Sequence, residues 1–444
     1  MIASQDRPPA RRLLMLGFGI TGRAVCEFAI KHGLPIVVSE SGKLSQQQQA
    51  WLGEKDIAFE QSGHTENFLS QVDTIVLSPG VPAGLPLLAC AREQGLDVIS
   101  ETDFALSFIG ECPIIAVTGT NGKSSTVEVI AKILNTQGCR ARVAGNIGIP
   151  LISLVDEVTA LDTLVLEMSS YQLEQSRDFR PNVGLLLTFS PDHLHRHRTL
   201  SAYANAKSKV FASQKPDDVA ILPRALASLF DQGQGRRVFC DDIFRELPAG
   251  TEGLLPHEQF NLRAAFAACQ ALIPGFDIVR VPMGEVCSAF RLPHRMESLG
   301  YVDGVRIIND SKSTNVGSTI AALQSVTGSI VLLLGGRSKG AGYEALVSAC
   351  AEADLREVIL FGEAAEELDG VFAQRSSPGV TVSVVASMEE AINSGLCAAQ
   401  ASDVLLLSPA CSSFDAFSDY VERGQAFADL IKSKPGFTSI LPRT

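Results

Sequence analysis

The sequence predicts an α/β protein built on parallel sheets and divided into three domains. Short apolar runs alternate with helix-length segments along the whole chain, the pattern of strands covered by helices on both faces. The chain has 444 residues, enough for about three domains at the usual ~100–200 residues each. Two glycine-rich turns, about a hundred residues apart, each stand between an apolar run and a helical stretch. No internal repeat is visible.

The elements follow in order. Leu13–Leu16 is an apolar run stopped by Gly17, then Ala24–Lys31 has helical spacing and Pro35–Val38 reads as a second strand. Thr74–Leu77 and Val98–Ile99 continue the pattern, with Ser78-Pro79-Gly80 as a turn signal between them. Gln46–Gln49 reads as a solvated helix face. Glu111-Cys112-Pro113 breaks the region and sets a first domain at 1–110. Ile114–Val117 opens the second, with strands expected at Thr163–Leu166 and Val183–Thr188. A loop-rich stretch, Leu254–Phe260, leads into an alanine-rich helix at Asn261–Leu272. Arg291-Leu292-Pro293-His294-Arg295 is the next junction, giving a second domain at 111–290 and a third at 291–444. Strands of the third are expected at Val305–Ile308, Ile330–Leu334, Val358–Phe361, Val382–Val385 and Val404–Leu407.

Composition narrows the class. Hydrophobic residues at 46% and charged residues at 19% exclude a mainly disordered chain. With 37 Lys+Arg against 49 Asp+Glu, the net charge of −12 argues against nucleic acid as a partner. Any anionic ligand must then be met by local cations and backbone amides. Nothing approaches the ~18 consecutive apolar residues of a membrane span. Ten scattered cysteines without a C-x-x-C pair read as reduced thiols, and the expected location is the cytoplasm. Arg7, Arg11 and Arg12 before Leu13–Leu16 superficially suggest an export leader. The apolar run stops at Gly17-Phe18-Gly19 with no small-residue cleavage site, so a short tail entering a buried strand is expected.

Gly17-Phe18-Gly19-Ile20-Thr21-Gly22 is a G-x-G-x-x-G turn between strand and helix. Its glycines permit close backbone approach, and a helix start favours a diphosphate. Glu40, after the second strand, lies near where a ribose-binding acid would sit. A nicotinamide dinucleotide, a UDP-sugar, or a tight turn that binds nothing all fit this motif.

Thr118-Gly119-Thr120-Asn121-Gly122-Lys123-Ser124-Ser125 is the second signal. Amides of such a loop cradle phosphates, the lysine neutralises them, and the first hydroxyl coordinates Mg²⁺. Val117 stands where the usual G-x-x-x-x-G-K-[ST] has its first glycine. Two phosphate motifs suggest two anionic substrates, more than a plain dehydrogenase needs.

Further segments fall in a telling order: Asn146-Ile147-Gly148, Glu167-Met168-Ser169-Ser170-Tyr171-Gln172-Leu173, Pro191-Asp192-His193, Ala206-Lys207, Leu292-Pro293-His294-Arg295, Asn309-Asp310-Ser311-Lys312-Ser313-Thr314-Asn315 and Leu407-Ser408-Pro409-Ala410-Cys411-Ser412-Ser413. Together with the Gly-Thr-Asn-Gly-Lys-Ser loop they resemble the Mur ligase family, which joins amino acids to UDP-sugar peptides in peptidoglycan synthesis. The resemblance implies a Rossmann-like N-terminal domain, a central P-loop-type ATP-binding domain and a C-terminal Rossmann-like domain. Within the family the chain is most similar to members that add D-glutamate to UDP-N-acetylmuramoyl-L-alanine, since Asn121 fits that branch and no Asp-Asn-Pro motif is present. The chemistry implied is transfer of the ATP γ-phosphoryl group to the substrate carboxylate, then attack of the glutamate amine on the acyl phosphate. The stereochemistry of the glutamate rests on resemblance. A folate polyglutamate ligase shares the ATP loop and a modified lysine, but Gly17–Gly22 and Ser408–Ser413 favour the peptidoglycan branch.

Residue by residue, the resemblance implies ATP contacts at Gly119, Thr120, Asn121, Gly122, Lys123, Ser124, Ser125 and Asn261, with Arg295 and Asp310 closing over the nucleotide and a hinge near Arg291–Pro293. Lys123, His193 and Lys207 are the implied catalytic residues. Mg²⁺ is assigned to Ser124, Glu167, His193 and Lys207, the last as a carbamate formed with CO₂. A zinc reading of the histidines around His193 lacks a third ligand at a defensible spacing. Thr21, Asn146, Ser169, Gln172 and His193 are carried over for the UDP substrate. Lys312, Thr314, Lys339, Ser413 and Tyr420 are carried over for glutamate, Tyr420 standing where relatives often have phenylalanine. Ser39-Glu40-Ser41 replaces an Asp-Thr-Arg common in that branch. Without the resemblance, Lys207 reads as a solvated helix residue; Lys209 is expected on another helix face. A monomer is expected.

Overall fold

Three sheets carry the fold in a computed structural model that describes residues 12–439 apart from 292, 341 and 375–379. Arg7 and Arg11 of the leader-like tail, and Leu292 of the junction, lie outside the described residues. The first sheet contains β1 (Leu13–Leu16), β2 (Ile36–Ser39), β3 (Phe59–Glu60), β4 (Thr74–Leu77) and β5 (Asp97–Ser100), in spatial order β3-β2-β1-β4-β5. The second contains β6 (Ile114–Thr118), β7 (Arg140–Gly145), β8 (Asp162–Glu167), β9 (Val183–Leu186), β10 (Val219–Leu222) and β11 (Arg236–Phe239), ordered β11-β10-β9-β6-β8-β7. Both are parallel throughout. In each, the chain reverses its direction of winding beside a central strand, β1 or β6, and each glycine-rich turn follows that strand. Open α/β sheets bind ligands at such points, beyond the carboxyl ends of the strands.

The third sheet contains β12 (Glu297–Val302), β13 (Val305–Asn309), β14 (Ile330–Gly335), β15 (Leu355–Phe361), β16 (Thr381–Val384), β17 (Val404–Ala410) and β18 (Phe437–Ser439), ordered β16-β15-β14-β17-β13-β12-β18. Here the all-parallel expectation needs correction. β12 pairs antiparallel with both β13 and β18. The cause is local: Asp303 and Gly304 have φ of 48° and 83°, a two-residue turn that fits the twist of a hairpin. Asp303-Gly304 is a hairpin signal in the sequence itself.

Alternation explains why these strands look uniformly apolar. Leu332, Leu334, Val358, Leu360 and Leu406 pack on one face of the third sheet. Val331, Leu333, Ile359, Phe361 and Leu407 pack on the other. Helices cover both, so no face is left polar. Truncating one such leucine to alanine is expected to cost about 2–5 kcal/mol.

Two other readings shift. The helix Pro256–Leu272 begins inside the stretch expected to be loop; proline at a helix start loses no hydrogen bond. The four-glutamine run is only half solvated. It opens the helix Gln46–Glu54, where Ser45 and Gln48 form a capping box. Gln48 Nε2 also donates to the Phe18 carbonyl at 3.0 Å, and Gln49 Nε2 to Leu44 at 2.9 Å.

The chain forms two compact units. The first runs to Thr188 and adds Ser201–Pro248 and Phe260–Pro282; the second is Phe189–Leu200, Ala249–Gln259 and the chain from Met283 onward. Two of the three sheets thus share the first unit. Inside it, Gln175 Nε2 donates to the Val81 carbonyl at 2.7 Å, and the buried Glu101 accepts from the Ile152 amide at 2.8 Å. Among the described residues no helix is long and apolar enough to cross a membrane.

Candidate active site

The loop after β6 is the centre of the first unit's site. Gly119 and Gly122 take φ of +151° and +86°, and the helix Lys123–Thr136 starts at once. Both glycines are required, since a side chain is strained at these angles. A β-carbon at Gly122 would also stand 2.7 Å from Asn261 Oδ1. The loop is anchored by Thr188, whose carbonyl accepts from the Thr120 amide at 2.9 Å and whose hydroxyl accepts from the Asn121 amide at 2.8 Å. Val117 is tolerated in place of a first glycine because β6 continues through it, paired with Glu167 and Leu185. Lys123 Nζ folds back to donate to the Gly119 and Thr120 carbonyls, each at 2.9 Å.

Lys207 corrects the bland reading of its position. It lies in the helix Leu200–Ala212 and is 1% exposed. Its Nζ donates to the Gly119 carbonyl at 2.7 Å and lies 4.7 Å from the Tyr203 ring centroid. Tyr203, one turn earlier, shares a 3.2 Å hydrogen bond with the Thr120 hydroxyl. Lys209 is on another face, as expected, yet it is not idle: Nζ donates to the Glu174 and Ser176 carbonyls at 2.7 and 2.9 Å. Burial pulls its pKa below the usual lysine range.

Glu167 ends β8 beside β6 and is 2% exposed. Oε1 accepts from Asn146 Nδ2 at 2.8 Å, while Oε2 is buried and has no hydrogen-bond partner among the described residues. A buried carboxylate oxygen without a partner is costly, and it is the donor a hard divalent cation takes. Ser124, half-buried in the first turn of the adjacent helix, offers a hydroxyl at the same end of the sheet. The residues present therefore fit Mg²⁺. Asn146 orients Glu167, and Ser169 and Gln172 form a capping box in which Gln172 Oε1 accepts from the Ser169 amide and hydroxyl at 2.9 and 2.8 Å. Thr21 sits in the first turn of the helix Ile20–Lys31, half-buried.

The second unit holds a separate constellation. Asp192 is buried; Asn315 Nδ2 donates to its Oδ2 at 3.2 Å, and Lys339 Nζ lies 3.4 Å from its Oδ1. Lys339 also reaches the Thr314 hydroxyl at 3.3 Å. His193, with φ of +55°, brings Nε2 to 3.5 Å from Asp192 Oδ2. Lys312 Nζ stands 3.7 Å from the Tyr420 ring centroid, a cation–π contact. Ser413 is buried. Asp310 is buried too, accepting from the Ser408 hydroxyl at 2.8 Å and the Met296 amide at 3.2 Å; burial pushes its carboxyl up to about 6. Arg295 is half-buried. Of the residues assigned to metal, Ser124, Glu167 and Lys207 belong to the first unit and His193 to the second.

Arg423 was not anticipated. It is fully buried, donating to the Ser311 hydroxyl at 3.0 Å, the Ser311 carbonyl at 2.8 Å and the Cys411 carbonyl at 3.1 Å. One guanidinium thereby ties the loop that carries Lys312 to the loop that carries Ser413. Burial lowers its pKa to about 10. Asp192 was visible only as part of Pro-Asp-His; its partners Asn315 and Lys339 are remote in sequence.

Comparison with known proteins gives concordant matches along the chain. Residues 11–100 match the family model described as Mur ligase MurD-like, N-terminal domain; residues 117–235 match Mur ligase middle domain; residues 294–411 match Mur ligase, glutamate ligase domain. A curated UDP-N-acetylmuramoylalanine--D-glutamate ligase of Desulfotalea psychrophila is 36% identical, covering 93% of this chain and 94% of that protein. The ligase of the same name from Salinibacter ruber is 36% identical over 96% of this chain and 99% of its own length. Among solved structures, UDP-N-acetylmuramate-alanine ligase from Thermotoga maritima is similar at a TM-score of 0.54 and 17% identity, covering 95% of this chain and 99% of that one. This last likeness speaks to fold.

Proposed function

The chain belongs to the Mur ligase family, and on that premise we propose that it forms the amide bond between UDP-N-acetylmuramoyl-L-alanine and D-glutamate at the expense of ATP, as its curated relatives are named for doing. The observation that carries the reading is the meeting of two lysines on one loop carbonyl. Lys123 and Lys207 both donate to Gly119, at 2.9 and 2.7 Å, inside a glycine turn at a helix start.

A carboxylate oxygen is a poor leaving group. In this reading the substrate carboxylate attacks the γ-phosphorus of ATP, the bond to the β-phosphate oxygen breaks, and ADP leaves. The glutamate amine then attacks the acyl phosphate, loses a proton and expels phosphate. Both steps gather negative charge, so fixed donors and cations lower the barrier. Lys123 exchanges its loop carbonyls for the β- and γ-phosphates, and the amides of Gly119–Ser125 cradle them. Asn261, packed on Gly122, faces the base. We assign Arg295 and Asp310 to the nucleotide by resemblance alone.

Mg²⁺ bound at Ser124 and at the unpartnered oxygen of Glu167 would supply charge neutralisation at the phosphates. A carbamate on Lys207 would turn a buried cation into an anionic oxygen donor for a second ion, and His193 is assigned to metal by resemblance alone. Thr21, Asn146, Ser169, Gln172 and His193 hold the UDP substrate. Lys312, Thr314, Lys339, Ser413 and Tyr420 hold glutamate, two cations matching two carboxylates. The enzyme acts as a cytoplasmic monomer. Phosphate release from ATP and Mg²⁺ with UDP-N-acetylmuramoyl-L-alanine tests this directly: release is expected with D-glutamate, and none with either enantiomer would defeat it.

A further inference from the structure

The glycine turn after β1 has spent its own polar groups. The Gly17 amide donates to the Ser39 carbonyl at 2.9 Å, and the Gly17 carbonyl accepts from the Ser78 hydroxyl at 2.9 Å. The Phe18 amide donates to Glu40 Oε2 at 2.6 Å, and the Phe18 carbonyl accepts from Gln48 Nε2 at 3.0 Å. Glu40 is saturated in turn, since Oε1 accepts from the Ser41 hydroxyl at 3.0 Å and the Gly42 amide at 2.9 Å. A diphosphate cradle needs free loop amides. Here the Gly17 and Phe18 amides are taken, the latter by an internal carboxylate. Burial opposes ionisation of Glu40, but the Gly42, Phe18 and Ser41 donors outweigh it and hold the carboxyl below its usual range.

We propose that Glu40 and Gln48 are positioning residues that clamp the Phe18 backbone, one at its N–H and the other at its C=O, so that this turn serves as a preset platform for the uridine end of the substrate and leaves ligand binding to the helix start at Gly19–Thr21. The proposal rests on the reading that the UDP substrate binds at the first sheet. It also assigns a role to Glu40 other than contact with a ribose. The Phe18 ring is buried and lies 5.7 Å from that of Trp51 in the same helix as Gln48, which makes the clamp and the packing of that helix one unit.

Two measurements test it. Steady-state kinetics of Glu40→Ala should raise KM for the UDP substrate at least fivefold, with kcat and the KM for ATP and glutamate within twofold. Glu40→Gln, which keeps an acceptor for the Phe18 amide, should return KM to within twofold of the parent. Gln48→Ala should shift the same KM alone, and the double variant Glu40→Ala/Gln48→Ala should fall short of the product of the single effects. An unchanged or lower KM in Glu40→Ala, or an equal loss in all three substrates, overturns the clamp. Hydrogen exchange at Phe18 separates the clamp from the substrate reading. It should speed up at least tenfold in Glu40→Ala and little in Glu40→Gln, whether or not the protein turns over the UDP substrate. Unaltered exchange in Glu40→Ala overturns the proposal on its own; absence of turnover by the parent enzyme overturns the substrate reading.

Discussion

Lys207 Nζ donates to the carbonyl oxygen of Gly119 at 2.7 Å, joining a helix to the phosphate loop across 88 residues of sequence. In the proposed reading, a buried lysine set against the loop assigned to ATP is placed for chemistry, whereas a stabilising surface lysine would reach water. Lys207→Ala is expected to lower turnover by about a thousandfold, the scale of losing a preorganised charge at a reacting phosphate. A short carboxylic acid added to that variant should restore part of the rate if the native group is a carbamate. Rescue by a primary amine and by no acid would point to the free ammonium instead.

Lys209 is the comparison, with a different expectation attached. Because its ammonium bridges two carbonyls, Lys209→Ala should lower stability by about 1–3 kcal/mol and leave kcat within a few-fold. Urea unfolding and turnover on the same preparation distinguish the two lysines. Equal loss of turnover in both variants would remove the special role of Lys207.

Glu167 has one oxygen held by Asn146 and one without a hydrogen-bond partner among the described residues. Glu167→Gln should raise the Mg²⁺ concentration needed for half-maximal rate by well over tenfold, and Asn146→Ala by roughly tenfold, the usual effect of losing a group that orients a metal ligand. Chelation of Mg²⁺ should stop phosphate release. A Mg²⁺ titration that is unchanged in Glu167→Gln would dismiss it as a ligand.

Arg423 ties together two loops of the third sheet. Arg423→Ala leaves the Ser311 and Cys411 groups without their donor and should cost about 3 kcal/mol or more. Arg423→Lys, which cannot span both loops, should fold better yet raise the KM for glutamate, while the KM for ATP changes little. A glutamate KM that stays put in a folded Arg423→Lys would confine this arginine to stability.

Glu101 gives a pH dependence away from the chemistry. Burial pushes its carboxyl from 4.5 up to about 7, so the folded protein prefers the neutral acid. The stability it contributes is full below about 4.5, where both states are protonated, and is lost as pH rises through about 7. At ~1.4 kcal/mol per pH unit the loss is about 3 kcal/mol. Urea midpoints at pH 5 and pH 8 should differ less in Glu101→Gln than in the parent; an identical difference would contradict the assignment.

These relationships also mark what could be read from residues in order. The glycine-rich loop was legible because strand, glycines, lysine and helix are contiguous, and β6 runs one residue past the expected Ile114–Val117, into Thr118. The alternating apolar runs located most strands within a residue or two. What stayed hidden depends on partners distant in sequence. Asp192 meets Lys339 and Asn315 only because the turn after β14 reaches the stretch that carries Thr314 and Asn315. Arg423 lies in an amphipathic helix, where an arginine reads as surface until the loops above it are seen. Gln48 looked solvated because nothing local shows that the Phe18 carbonyl lies within its reach. The antiparallel edge at β12 is different: its Asp303-Gly304 turn is a contiguous signal, and the alternation of apolar runs alone does not distinguish a hairpin from a crossover.

The central claim is that this chain activates a carboxylate by phosphorylating it and then joins it to D-glutamate. The most direct measurement uses UDP-N-acetylmuramoyl-L-alanine with both carboxylate oxygens labelled with ¹⁸O, together with ATP, Mg²⁺ and D-glutamate. One labelled oxygen should appear in each released phosphate and the other should remain in the new amide. Phosphate released without label would contradict an acyl-phosphate route, and no amide product at all would contradict the assignment of the enzyme.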